Sequence, residues 1–181
     1  MSRLTVYHQD QPDTQLVDTD DGETIAQELN TVGVRFERWP AERKLSAQAT
    51  PEEIGEVYGA EIKRLQDEDG YQTWDVISLN PDHPDKDALR TKFLSEHSHS
   101  EDEVRFFVDG QGLFTLHIED KVYAVLCEGG DLISVPAGTT HWFDMGPNPS
   151  FKVIRVFDNQ EGWVAKFTGS DIANKFARLE N

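Results

Sequence analysis

The chain has 181 residues, which one domain accounts for and which suffices to bury a core. Its 17 basic against 34 acidic side chains give a formal charge of −17, a surface that phosphate backbones and anionic lipid headgroups repel, so neither nucleic acid nor membrane is an expected partner. Cys127 is the only cysteine, which excludes an internal disulfide and a multi-cysteine zinc site; any metal must rest on His, Asp and Glu.

In chain order, LTVY at 4 to 7 reads as a strand, and Ile25, Ala26, Leu29 and Val32 ahead of Gly33 mark a helix. VRFERW, 34 to 39, alternates like a strand. TPEEIGEVYGAEIKRLQDEDG predicts a helix: Thr50 caps it, Pro51 takes the first helical position, Glu53 closes a capping box, and Ile54, Val57, Tyr58, Ile62 and Leu65 form one face. YQTWDVISL reads as a strand and PDKDALRTKF, led by Pro84, as a short helix.

From about 103 to 157, EVRFFV, LFTLHIE, KVYAVL, DLISV, HWFDM and FKVIRVF are short β-rich runs separated by DGQG, ED, EGG, PAG and GPNPS. The fold expected is mainly β with flanking helices, a small barrel or jelly roll. SDIANKFARLEN predicts a closing helix over about 170 to 180, capped by Ser170 and burying Ile172, Phe176 and Leu179. One domain over 1–181 thus comprises a helix and strand part to about 93, a barrel region over about 94 to 160, and that helix. No apolar run approaches the ~20 residues that span a bilayer, and the opening MSRLTVYHQDQPDTQLVDTDDG lacks the apolar segment of a secretory signal, so the sequence reads as cytoplasmic. The high net charge makes a monomer the default expectation.

HSHSEDEVRFFVDG, 97 to 110, carries the chemistry. Alternate residues of an extended strand share a side, so His97, His99, Glu103 and Arg105 all look inward if a local turn is allowed for. Two neutral imidazoles and a carboxylate suit Fe(II), Ni(II), Mn(II) or Zn(II). GDLISVPAGTTHWFDM ends a strand, turns through Pro136, Ala137 and Gly138, and delivers His141 as the best further ligand. A lone His-x-His is usually a solvated pair; here histidines, glutamate, β-rich follow-on and a turn leading to another histidine occur together.

These residues resemble the cupin superfamily. Its first motif, G-x5-H-x-H-x(3,4)-E-x6-G, is met by His97, His99, Glu103 and Gly110 with Thr91 at the leading glycine; its second, G-x5-P-x-G-x2-H-x3-N, by Gly130, Pro136, Gly138 and His141 with Met145 at the asparagine. More narrowly, TWDVISL, EHSHSEDEVRFFVDG, VPAGTTHWFDMG and FTGSDIANKF resemble the acireductone dioxygenase family of methionine salvage. That resemblance implies one Fe(II) or Ni(II) ion per chain on His97, His99, Glu103 and His141, with acireductone and O2 as the reactants. It further implies a 2-oxo acid and formate from the iron form, and methylthiopropionate, formate and carbon monoxide from the nickel form.

Arg105, on the inward parity, suits stabilisation of an enediolate; its other reading is a salt bridge to Glu103 or another acid. Phe93, Phe143 and Trp163 match aromatic pocket positions of the family, Phe143 also sharing strand parity with His141. Arg155 is a family-suggested pocket residue, although FKVIRVF alone permits an exposed strand arginine. His8, His83 and His117 have no clustered partner, and Cys127 reads as a small buried residue. Two other functions fit a metal-binding barrel: a Mn- or Zn-dependent isomerase or decarboxylase that consumes no oxygen, and a non-catalytic binding module.

Overall fold

A computed structural model of the chain describes residues 1–40 and 45–181. The described elements are β1 (Arg3–His8), β2 (Gln15–Thr19), α1 (Gly22–Asn30), β3 (Arg35–Arg38), α2 (Pro51–Asp69), β4 (Thr73–Leu79), α3 (Lys86–Phe93), β5 (His97–Ser98), β6 (Glu103–Ile118), β7 (Lys121–Glu128), β8 (Asp131–Val135), β9 (Thr140–Asp144), β10 (Phe151–Phe157) and β11 (Lys166–Phe167). β2 lay in a stretch too polar to read as a strand; it forms because it can pair along β1, from Leu4 opposite Thr19 to Tyr7 opposite Gln15.

The sequence suggested separate strands on either side of DGQG, but β6 runs through it for 16 residues. Gly110 bends the strand without ending it. It adopts φ 83°, and a Cβ there would lie 1.9 Å from the Ser150 carbonyl oxygen, so neither the conformation nor the close approach admits a side chain. The first half of β6 pairs with β8 and β10 and the second half with β7 and β9. One sheet therefore runs β11-β5-β9-β6-β7-β1-β2, the other β4-β10-β6-β8-β3, and β6 belongs to both. Because the ladder does not close into a ring among the described residues, the architecture is an open version of the expected cupin-type jelly roll.

Strand alternation along β6 decides what faces the site. Val104, Phe106 and Val108 pack outward with Leu132, Ile154 and Val156 against the buried face of α2, formed by Ile54, Tyr58, Ile62 and Leu65. α2 has the cap and stop its sequence called for: Thr50 accepts from the Glu53 N–H at 3.2 Å and Gly70 ends it at φ 78°, although the Glu53 carboxylate accepts from the Thr50 hydroxyl at 3.3 Å and does not close the expected box onto the Thr50 N–H. Phe107, Phe114 and Leu116 turn inward onto the core shared with Leu4, Val125, Ile133 and Val153.

The closing helix expected over 170 to 180 is absent; only a 3-10 turn, Ile172–Lys175, forms. The Ser170 hydroxyl accepts from the Ile172 N–H, and the Leu179 N–H is held by the buried Asp144 carboxylate at 2.8 Å, which leads the chain away from a helical path. Ile172 and Phe176 are buried as expected, against Tyr7 and Trp142, whereas Leu179 is only half-buried. Among the described residues no helix is long and apolar enough to cross a membrane.

Candidate metal centre

His97 on β5 pairs directly with His141 on β9, and their ring centroids stand 4.6 Å apart. His141 faces inward because its other neighbour in the ladder is the core residue Leu116 on β6. His99 follows the end of β5, and Glu103 opens β6, so the four residues of the shared-parity reading come from two strands joined by a turn. Asp102 fastens that turn: its carboxylate accepts from the Tyr71 hydroxyl at 2.8 Å and from the Ala137 N–H at 2.9 Å. The Gly138 N–H donates to the His99 carbonyl at 2.9 Å, which clasps the PAG turn to the His-x-His segment.

Each imidazole has a backbone carbonyl near Nδ1: Ser95 for His97 at 2.6 Å, Thr139 for His141 at 2.9 Å and Val164 for His99 at 3.2 Å. Those acceptors assign the proton to Nδ1 and leave Nε2 as the free donor atom. One nitrogen from each ring lies within 4.8 Å of the others. Glu103 Oε2 stands 2.8 Å from His141 Nε2 and 3.4 Å from His99 Nε2. Yet Glu103 Oε2 and His141 Nε2 are buried and neither has a hydrogen-bond partner of acceptable geometry among the described residues. Two facing lone-pair atoms, buried and unsatisfied, beside two further imidazoles fit a divalent cation.

At Glu103, His97 and His99 the electrostatics favour the same occupant, while at His141 they favour a proton in the metal-free chain. Burial, reinforced by the neighbouring His141, holds His97 down at about 4, and burial also lowers His99, so both imidazoles favour the neutral form that a metal ligand requires. Burial opposes the charge on Glu103, but Arg105 and the histidines outweigh it and hold the carboxyl well below the usual carboxylate range. Burial likewise opposes protonation of His141, and there the Glu103 charge wins and raises it.

Three residues of the centre lie on the wall of a cavity of about 190 Å³. Phe93, Arg105, Phe143, Arg155 and Trp163 all line it, together with His97, His99 and Glu103, while His141 lies behind them at 2% exposed. Arg105 makes contacts of both kinds read from the sequence: it reaches the cavity, and its Nη2 is 3.5 Å from Glu103 Oε1. Arg155 is not an exposed strand arginine. Its guanidinium donates twice to Asp75, at 2.8 and 2.6 Å, and sits 3.8 Å over the Trp163 ring.

Two residues outside the sequence reading support this arrangement. Glu96, 5% exposed, accepts from the Thr168 hydroxyl at 2.8 Å and stands 2.6 Å from His117 Nδ1. His117, read as having no partner, is thus tied to the segment carrying His97, and its Nε2 also meets Gln9 at 2.9 Å. Asp75 lies 80 positions from the arginine it binds, a separation for which the sequence has no signal. Cys127 is fully buried and burial pushes its thiol well up, which fits a core residue.

An open cupin-type double sheet that converges three imidazoles and a carboxylate on an aromatic cavity defines a metal-binding protein. The model of the ARD/ARD' family matches residues 3–165. The chain is 60% identical over 181 residues to an acireductone dioxygenase of Pseudomonas aeruginosa, covering 100% of both, and 56% identical over 180 residues to one of Yersinia enterocolitica, covering 99% of this chain and 100% of that one. Among solved structures it resembles the acireductone dioxygenase from Bacillus anthracis with a cadmium ion in its active centre, with TM-score 0.79 and 32% identity over 92% of this chain and 98% of that one. The chain belongs to the acireductone dioxygenase family, metal-binding oxidoreductases of methionine salvage.

Proposed function

We propose that this enzyme cleaves acireductone, 1,2-dihydroxy-3-keto-5-methylthiopentene, with O2, using one Fe(II) or Ni(II) ion held by His97, His99, Glu103 and His141. The iron form gives 4-methylthio-2-oxobutanoate and formate; the nickel form gives 3-methylthiopropanoate, formate and carbon monoxide. The observation that carries the reading is the pair of buried, unsatisfied atoms Glu103 Oε2 and His141 Nε2 beside an aromatic cavity that Glu103 and Arg105 line.

A bound divalent ion would supply a Lewis-acid template for the two adjacent enediol oxygens and favour their deprotonation. The chain's own contribution begins with Arg105. Its guanidinium, 13% exposed and directed to the cavity, donates charge-assisted hydrogen bonds to the enediolate and balances its negative charge away from water. With Glu103 engaged by the cation, Arg105 needs a second anion, and the substrate provides it. Phe93, Phe143 and Trp163 wall the cavity with apolar surface suited to the methylthio tail, excluding water and fixing which end of the substrate reaches the metal. The Nδ1 partners of the three histidines fix the rings so that Nε2 would be the atom available to hold the ion.

The enzyme acts on small molecules alone, as a cytoplasmic monomer that binds neither nucleic acid nor membrane; the acidic charge supports this. The test is to strip the metal, reload with Fe(II), and record oxygen uptake with acireductone against the metal-free protein, since the substrate also oxidises unaided. Iron-dependent uptake with formate and the 2-oxo acid as products is expected. Uptake no faster than the metal-free control, in protein shown to contain iron, would reject the proposal.

A further inference from the structure

The inner face of the second sheet carries a charged row that the ligand set does not explain. Asp75 on β4 is in register with Arg155 on β10, and Arg155 with Arg105 on β6. Two arginines directly opposite each other in a ladder repel. The row tolerates them because Arg155 is turned away into a bidentate pair with Asp75 and capped by Trp163, whose ring in turn meets Phe157 edge-on at 4.3 Å. Arg155 and Trp163 line the cavity; Asp75 does not appear on its wall.

We propose that Asp75 is a positioning residue for substrate binding. It neutralises Arg155 and holds the guanidinium against the Trp163 ring, which fixes the indole as the cavity wall against the substrate's apolar tail and leaves Arg105 as the cation available to the enediolate. This rests on the reading of the cavity as an acireductone site. Without Asp75, Arg155 is released from its fork geometry, is free to swing toward the substrate anion, and no longer supports the indole. The consequence falls on binding of the tail more than on the chemical step, because Asp75 touches neither the metal ligands nor the reacting atoms.

The experiment compares wild type, Asp75→Ala, Trp163→Phe and the double variant, each loaded with iron and assayed for metal content. Asp75→Asn serves as an isosteric second variant should the alanine protein fold poorly. Asp75→Ala should raise KM roughly tenfold, the low end for losing contact with one hydrophobic group, with kcat changed much less. If Asp75 acts through Trp163, the double variant is no worse in KM than Trp163→Phe alone. The emission assigned to Trp163 by the difference from Trp163→Phe should also shift in Asp75→Ala, because the stacked cation leaves the ring. Additive KM effects, or unchanged Trp163 emission, would overturn the proposal. Absence of iron-dependent uptake in wild type would instead fault the function assigned to the cavity, and the emission comparison would still decide whether Asp75 sets the indole.

Discussion

Replacing Arg105 with methionine keeps much of the side chain's volume and removes its charge. The structural cost should be small. The guanidinium hydrogen-bonds the Val104 carbonyl at 3.0 Å and stands 3.5 Å from Glu103, a looser contact than a bidentate pair, and removing the whole group orphans no buried donor. Glu103 loses the neighbour that holds its carboxyl low, but a bound divalent cation takes over that role at neutral pH, so metal content should match wild type. The catalytic cost should be large. Removing one preorganised donor to a developing oxyanion typically costs about 10²- to 10³-fold in kcat, roughly 3 to 4 kcal/mol, and that is the loss expected here. Oxygen uptake on iron-loaded protein, corrected for unaided oxidation and paired with metal analysis, measures both quantities. Turnover within about threefold of wild type at full metal occupancy would refute the role. Parallel loss of metal and turnover would make Arg105 a support for Glu103 rather than a group acting on substrate.

Three further outcomes follow from the same geometry. Gly112→Ala places a Cβ 2.5 Å from the Phe143 ring and 3.2 Å from Phe107, so Phe143 must move; we expect overpacking of about 1 to 3 kcal/mol and a raised KM with unchanged metal content, checked by thermal melts and Michaelis curves. Removing the metal should lower the melting temperature, since an ion that binds only the folded chain adds about 2.7 kcal/mol at a hundredfold excess over Kd; His141→Ala should abolish that rise in scanning calorimetry, and equal melting of stripped and loaded wild type would contradict the centre. Burial opposes the charge of Asp144, yet Arg90 and the N–H groups of Leu179 and Gly146 outweigh it and depress its pKa. A carboxyl depressed on folding contributes stability above its ordinary pKa and loses it as pH falls through the folded value, so urea midpoints of wild type should drop in acid more steeply than those of Asp144→Asn, and parallel curves would count against this.

The cluster of candidate ligands was legible because its information is local. His-x-His followed by glutamate and arginine states which side of a strand each residue takes, and the PAG turn announces another histidine. β6 was harder. Gly110 within DGQG has the composition of a turn, and only the approach of Ser150, just ahead of β10, and the pairing with β10 show that the glycine bends a strand that continues. At the C-terminus, the spacing of Ile172 and Phe176 identified buried residues correctly but not their conformation, since the Asp144 carboxylate that draws in Leu179 lies 35 positions earlier. The same limit hid Glu96 and Asp75, acids whose partners are 72 and 80 positions away.

The division between what could and could not be read has a physical origin in β6. Alternation along this one strand sends Val104 and Phe106 to the core under α2 and Glu103, Arg105 and Phe107 to the cavity, so folding stability and chemistry are written on opposite faces of the same residues. The outward face needs only apolar bulk, and a pattern of apolar residues reveals it. The inward face withdraws charges from water, and beyond the Glu103–Arg105 contact within β6 they are matched by groups from other strands, His141 on β9 for Glu103 and Asp75 on β4 for Arg155. Those matches are made by the register of the ladder. They therefore became visible only once the strands had been placed side by side.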